Sequence, residues 1–236
     1  MYKIKQIIKK IFSTVGLDVS FYSKPPPHPL VHHKIELLLD VGANTGQYAR
    51  KVRDKNYKNK IISFEPLPDA YKILLKNSKK DSLWTAYERC ALGSNFGETE
   101  INISKNSFSS SIKPMLEAHL SSAPESIYIG KAKTNVFTLD SIFDSCRLNN
   151  DKTYLKIDTQ GFEKEVLDGA TLSLKNIFAV QLELSIQPLY DGQELYKYFF
   201  SFFEKSGFSL WSLEPVFEDK KTGKLLQFDA IFIKNE

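Results

Sequence analysis

Apolar residues recur along this chain in two rhythms. Between residues 3 and 15, Ile4, Ile7, Ile8, Ile11, Phe12 and Val15 fall at helical spacing on one side with lysines between them, which predicts an amphipathic helix. From residue 37 onward, short apolar runs alternate with helical stretches. The runs predict strands at 37–41, 61–65, 84–91, 99–104, 136–138, 154–157 and 179–184, with helices near 46–55, 68–77, 139–146 and 162–170. Such alternation describes an α/β, doubly wound, mostly parallel sheet. Between the first helix and the first strand lies Lys24-Pro25-Pro26-Pro27-His28-Pro29, expected to be an extended, polyproline-like linker because proline fixes φ and lacks a donor. The chain thus divides into a helix and linker at 1–34 and one α/β domain at 35–236. Residues 104–134 break the rhythm with Ser107-Phe108-Ser109-Ser110-Ser111, a short helix near 114–121 and Gly130-Lys131-Ala132-Lys133. An excursion this long reads as a lid over a ligand, or else as a solvated linker.

Composition narrows the class. At 236 residues, 42% apolar and 13% aromatic, the chain can bury a substantial core. No run approaches 18 apolar residues, so no membrane span is expected, and the interrupted start is no secretory signal. Cys90 and Cys146 form no C-x-x-C pair and read as core thiols, giving an expected cytoplasmic location. The first 24 residues hold five lysines and Asp18, 5 − 1 = +4, which equals the net +4 of the whole chain. The first helix is therefore basic. Its stripe is expected to pack on the main domain or on a second subunit, with contact to an anionic inner-membrane surface as the alternative. No basic patch interleaved with aromatics recurs elsewhere, so no nucleic-acid partner is expected.

The strand Leu37-Leu38-Leu39-Asp40-Val41 runs into Gly42-Ala43-Asn44-Thr45-Gly46. The spacing is D-x-G-x-x-x-G and not the G-x-G-x-x-G of a dinucleotide fold, which suits S-adenosylmethionine, a cofactor with no pyrophosphate to cradle. Glu65 ends the neighbouring strand, 19 residues after Gly46, where a ribose diol would be gripped. A second polar cluster, Asp158-Thr159-Gln160, follows the strand at 154–157, and Glu183 belongs to the next strand at the same edge. Two neighbouring carboxylates can share acid/base work or a metal. Asp158 can alternatively cap the next helix, Glu163 can favour that helix's dipole, and Lys156 can pair with an acid across the sheet.

Six blocks in order, D-V-G-A-N-T-G at 40–46, F-E-P-L-P at 64–68, A-L-G at 91–93, T-L-D at 138–140, K-I-D-T-Q-G-F-E at 156–163 and V-L-D-G-A at 166–170, resemble the FkbM-type methyltransferases over roughly residues 35–233. The resemblance implies a Rossmann-like class I methyltransferase fold, three-layer αβα, with a C-terminal antiparallel strand at 225–233 hairpinned to 208–213. It also implies O-methylation of hydroxyl groups, commonly on sugars of surface polysaccharides or on secondary metabolites. That family usually reads K-I-D-V-E-G where this chain has Thr159 and Gln160, so a divalent metal is left without support.

On this reading Asp40, Gly42, Asn44 and Gly46 face the methionine part of the cofactor, Glu65 and Pro66 the ribose, and Ala91 and Leu92 the adenine, with Asp158 beside them. Asp158 is the first choice of catalytic base, followed by Glu183 and by His119 on the lid helix. Ser110, Ser111, Gln160, Ser185, Gln187, Tyr190 and Trp211 are candidates for the acceptor pocket. A glycan is the expected acceptor and a homo-oligomer is an open option. The rivals are methylation of a small metabolite, a nicotinamide-dependent oxidoreductase and a catalytically idle cofactor-binding module.

Overall fold

The computed structural model describes residues 2–17, 19, 26–147 and 151–235. Along the chain run α1 (Tyr2–Ser13), α2 (Pro29–His32), β1 (Leu37–Val41), α3 (Gln47–Asp54), β2 (Lys60–Phe64), α4 (Pro68–Ser78), β3 (Trp84–Ala86), β4 (Cys90–Leu92), β5 (Gly97–Ser104), α5 (Glu117–Ser122), β6 (Tyr128–Phe137), α6 (Leu139–Cys146), β7 (Thr153–Ile157), α7 (Glu163–Asp168), β8 (Ile177–Ser185), α8 (Tyr196–Lys205), β9 (Phe208–Glu218) and β10 (Leu225–Lys234). Among the described residues, seven strands form one sheet in the order β3-β2-β1-β7-β8-β10-β9. Its β3, β2, β1, β7 and β8 are parallel, while β10 runs antiparallel between β8 and β9. This is the class I methyltransferase fold. Strand order reverses between β1 and β7, and such a switch point opens a crevice at the carboxyl ends of the strands.

Period-two alternation sorts the strand residues onto two faces. Leu37, Leu39, Val41, Ile62, Phe64, Leu155, Ile157, Val180 and Leu182 pack with Leu139, Ile142 and Phe143 of α6, Val166 and Leu167 of α7, and Phe199 and Phe203 of α8. Leu38, Ile61, Tyr154, Ala179 and Ile231 pack on the other face with Leu30 of α2, Ala49 and Val52 of α3 and Leu74 of α4. Three αβα layers result. The face shared by Leu38 and Tyr154 carries a polar exception toward its carboxyl end. Register places Asp40 beside Ser63 on one side and Lys156 on the other, Lys156 beside Gln181, and Glu183 opposite Asp229.

Several elements differ from their expected form. The run 84–91 is two strands in two sheets, because β4 leaves β3 to pair in parallel with β6. The excursion is shorter than 104–134: residues 128–134 belong to β6, which forms a hairpin with β5 from Gly97 opposite Val136 to Ser104 opposite Tyr128. The ten residues of α8, aromatic and amphipathic, were not legible as a helix from their spacing. Lys24 and Pro25 of the expected linker lie outside the described residues. Pro26 to His28 is irregular, and Pro29 opens α2 at a position where its missing donor is harmless. Leu30 and Ile35 are fully buried in the domain core, so α2 packs as part of it.

Helix α1 departs most from expectation. Its apolar stripe does not pack on the domain: Ile4, Ile7 and Ile11 are 62%, 59% and 60% exposed, and Phe12 is exposed as well. Among the described residues no helix is long and apolar enough to cross a membrane. Cys90 and Cys146 are free and buried.

Candidate active site

A cavity of about 480 Å³ opens at the carboxyl edge of the sheet, lined on one side by Val41, Gly42, Ala43, Asn44, Phe64, Glu65, Pro66, Leu67, Cys90, Ala91 and Leu92. The sequence analysis named Gly42, Asn44, Glu65, Pro66, Ala91 and Leu92 of these as a cofactor cradle, and the fold brings them together here. Gly42 has φ +75°, and a Cβ there would lie 1.8 Å from the Asp158 carbonyl oxygen, so only glycine lets the turn after β1 meet the turn after β7. Glu65 follows β2 and is buried. Its Oε2 accepts the Asn44 N–H at 2.7 Å and its Oε1 the Leu67 N–H at 2.8 Å. Burial raises its pKa to about 7 against those two amides, which pull it down. Each oxygen keeps further acceptor capacity for a hydroxyl. A Glu65→Ala variant is expected to bind S-adenosylhomocysteine about 10- to 100-fold more weakly by calorimetry, roughly 1–3 kcal/mol. Unchanged affinity would show that the ribose lies elsewhere.

Two members of the expected cradle sit outside the cavity. Gly46 also has positive φ, but a Cβ there would meet the Trp84 ring at 2.4 Å, so this glycine serves the packing of α3 on the sheet. Asp40 is fully buried behind the wall, near Lys156 Nζ at 3.4 Å and accepting from Ser63 Oγ at 3.3 Å. Its alternation within β1 turns it toward the polar row, and burial raises its pKa. Asp40 therefore acts through Lys156. Asn44 lines the cavity, yet its side-chain amide donates to Ser107 Oγ and the Ser107 carbonyl, fastening the segment whose Ser107, Phe108, Ser110 and Ile112 also line the cavity.

The opposite end of the cavity is lined by Gln47, Tyr48, Lys51, Ser107, Phe108, Ser110, Lys156, Asp158, Thr159, Gln160, Glu183 and Asp229. Lys156 Nζ lies 3.2 Å from Asp158 Oδ2, and its pKa is held above the usual lysine value: burial opposes the charge, but Asp158 and Asp40 outweigh it. Gln160 Nε2 donates both to Asp158 Oδ1 at 2.9 Å and to Glu183 Oε2 at 2.7 Å. One amide thus holds two carboxylates together where the related motif carries a third acid. Glu183 Oε2 also accepts from Gln227 Nε2, and burial followed by the Asp158 charge pushes its pKa well up. Asp229 accepts from Gln181 Nε2 at 2.9 Å and is raised to about 6, first by burial and then by Asp158. Among the described residues no group of three or more His, Cys, Asp or Glu side chains is arranged to hold a metal ion.

Asp158 is no helix cap, since α7 starts at Glu163 after Phe162 with no side-chain cap. The buried Glu163 instead closes the preceding loop: its Oε1 accepts the Thr159 and Gly161 N–H groups and the Thr159 hydroxyl. Burial raises its pKa to about 7.

Other candidates are placed differently by the fold. Ser111, Tyr190 and Ser185 are buried and do not line the cavity. Ser111 Oγ donates to the Gln160 carbonyl and Tyr190 OH to Gln160 Oε1, so both position that glutamine from behind. Gln187 points away and accepts from Lys224. Trp211 is half exposed on β9, tilted against His32 and edge-on to His33, and does not line the cavity. His119 is buried between Tyr190 and Phe217, off the cavity, with Nδ1 unpartnered. It is no catalytic base.

Burial lowers the His119 pKa to about 4, so it stays neutral when folded, while the unfolded chain takes up a proton below about 6.5. Its contribution is retained above pH 6.5 and lost as pH falls toward 4. A His119→Phe variant should escape on the order of 2 kcal/mol of that acid-side loss, read as the difference from the parent in urea unfolding at pH 7 and pH 4.5. An equal loss in both proteins would refute the assignment.

Sequence reasoning missed Gln47, Tyr48, Lys51 and Asp229. Asp229 was findable in principle, as an acid in an otherwise apolar final strand.

The model of the methyltransferase FkbM domain matches residues 40–210. No curated protein sequence matches the chain. Among solved structures, Mycoplasma capricolum TrmK in complex with S-adenosylhomocysteine is 12% identical, with 85% of this chain and 62% of that one covered and a TM-score of 0.47. The precorrin-6y C5,15-methyltransferase of Geobacter metallireducens is 14% identical, with 85% and 81% covered and a TM-score of 0.44. The family match spans the turn after β1, Glu65 and the whole Asp158 loop, and on that ground the chain belongs to the FkbM methyltransferases and is an S-adenosylmethionine-dependent enzyme.

Proposed function

We propose that the enzyme methylates a hydroxyl group of a sugar, the hydroxyl losing its proton to Asp158. The observation that carries this reading is the end of the cavity beyond the cofactor cradle, where Asp158, Glu183 and Asp229 stand against Lys156 and Lys51. Carboxylates and a glutamine amide complement hydroxyl donors and acceptors, and they repel phosphate. Phe108, 61% exposed at the rim, offers an apolar face of the kind sugars pack against.

Bound S-adenosylmethionine supplies an electrophilic methyl group on a sulfonium. The chain's own work is to align the acceptor and to take its proton. Gln160 and Lys156 hold the Asp158 carboxylate by one oxygen each, which fixes its direction and leaves lone pairs free for a hydroxyl. Glu183, held by Gln160 and Gln227 and with its pKa raised by burial, preserves the shape of the pocket. Ser107 and Ser111, tied to Asn44 and Gln160, fix the segment that lines the cavity at Phe108 and Ser110, and positioning of the acceptor supplies much of the rate.

The test is transfer of a deuterated methyl group to neutral oligosaccharides, to a phosphorylated sugar and to a short RNA, with the labelled atom located by mass spectrometry. Label on a hydroxyl of the neutral sugar is expected. Label confined to RNA, or to a compound without sugar, would overturn the reading.

A further inference from the structure

Helix α1 has an apolar face that nothing in the domain covers. Ile4, Ile7, Ile11 and Phe12 are exposed, and Val15 and Leu17, just beyond the helix, are exposed as well. At 100° per residue, Ile7, Ile11, Ile4, Ile8 and Phe12 occupy about 140° of the circumference. Lys5 stands at one margin of this arc and Lys10 beyond the other, with Lys9 on the polar side. Residues 2–17 contain no aspartate or glutamate.

We propose that α1 docks on an anionic bilayer surface, its axis in the plane of the headgroups and its apolar arc among the acyl chains. Charge selects this occupant. A wide apolar arc bordered by lysines lets the lysine stems lie along the apolar boundary while their ammonium groups reach lipid phosphates. A second copy fits less well: two such helices packed face to face would bring their lysines together along the seam with no acid to pair them. The 12 residues of α1 are too few to span a bilayer, which takes about 20. The chain enters the domain with His28 beside Tyr48, and the amino edge of the sheet is basic. Glu36 pairs with Lys152 through the backbone, and beside it a depression is lined by Arg147, Lys152, Lys175 and Lys234, with Asp151 as its one acid.

Flotation of the full chain with vesicles tests the proposal. The chain is expected to float with phosphatidylcholine vesicles containing phosphatidylglycerol, to remain behind with phosphatidylcholine alone, and to be released by high salt. Joint Ile7→Glu and Ile11→Glu substitution should abolish flotation, and Lys9→Gln or Lys10→Gln should each reduce partitioning about fivefold. S-adenosylhomocysteine binding should be unchanged in every variant, which shows that the domain is folded. The proposal is overturned if neutral and anionic vesicles bind equally, if neither binds, or if the glutamate variants still float. It is also overturned if the chain self-associates in sedimentation and the glutamate variants abolish that instead.

Discussion

Replacing Asp158 by asparagine is expected to lower kcat by about 10²- to 10⁴-fold, the range over which a positioned base contributes, while S-adenosylhomocysteine affinity stays within about threefold of the parent. The separation follows from the cavity. Asp158 lines one end of it, whereas the proposed cofactor cradle is the turn after β1, Glu65 and the residues of β4 at the other. Asparagine keeps the size of the side chain and one acceptor oxygen for Lys156 or Gln160, and Lys156 retains Asp40 as an ionic partner. Single-turnover methyl transfer together with calorimetry reads both quantities. Full activity in the variant would show that another group takes the proton, and Asp229, raised to about 6 at the cavity wall, would be next to test. Joint loss of activity and cofactor affinity would instead place Asp158 in the cradle.

Lys156→Met should cost about 3–5 kcal/mol of stability, because removing one partner of a buried ion pair strands the other. The stranded group is Asp40, fully buried, whose Oδ1 has no hydrogen-bond partner and lies only within ionic reach of Lys156. The sign of the pH dependence follows from burial. The folded pKa of Asp40 already exceeds that of an unfolded aspartate, and loss of the lysine raises it further. A group shifted in this direction destabilises the fold as pH rises past the unfolded value. The deficit of the variant is therefore smallest near pH 4 and grows toward pH 7. Urea unfolding at the two pH values measures it, and adding Asp40→Asn should recover much of the loss. A deficit independent of pH, with no recovery in the double variant, would remove Asp40 from the account.

These outcomes bear on how the site is built. The acids and the lysine are not gathered by one loop. They are neighbours because alternate residues of β1, β7, β8 and β10 share a face and because register sets Asp40 beside Lys156 and Glu183 opposite Asp229. Gln160, in the left-handed region at φ +55°, then folds back from its turn and binds Asp158 to Glu183. Tyr190 and Ser111 hold it there from two distant parts of the chain.

Local pattern was sufficient for much of this molecule. The apolar run at 37–41, the glycine at 42, the acid at 65 and the cluster at 158–160 could be read directly, since each depends on residues adjacent in the chain: a strand must alternate, and a tight turn beside a ligand needs glycine. The basic, amphipathic character of residues 3–15 was legible for the same reason. What required the tertiary structure was every contact across the sheet. Asp229 enters the site only because β10 inserts between β8 and β9, and Asp40 leaves it only because Lys156 stands between it and the cavity. His119, Tyr190 and Trp211 have the right chemistry for a site, but packing directs the first two behind the wall and the third against His33. Sequence spacing encodes direction along one element, whereas the approach of two elements is decided by burial summed over the whole core.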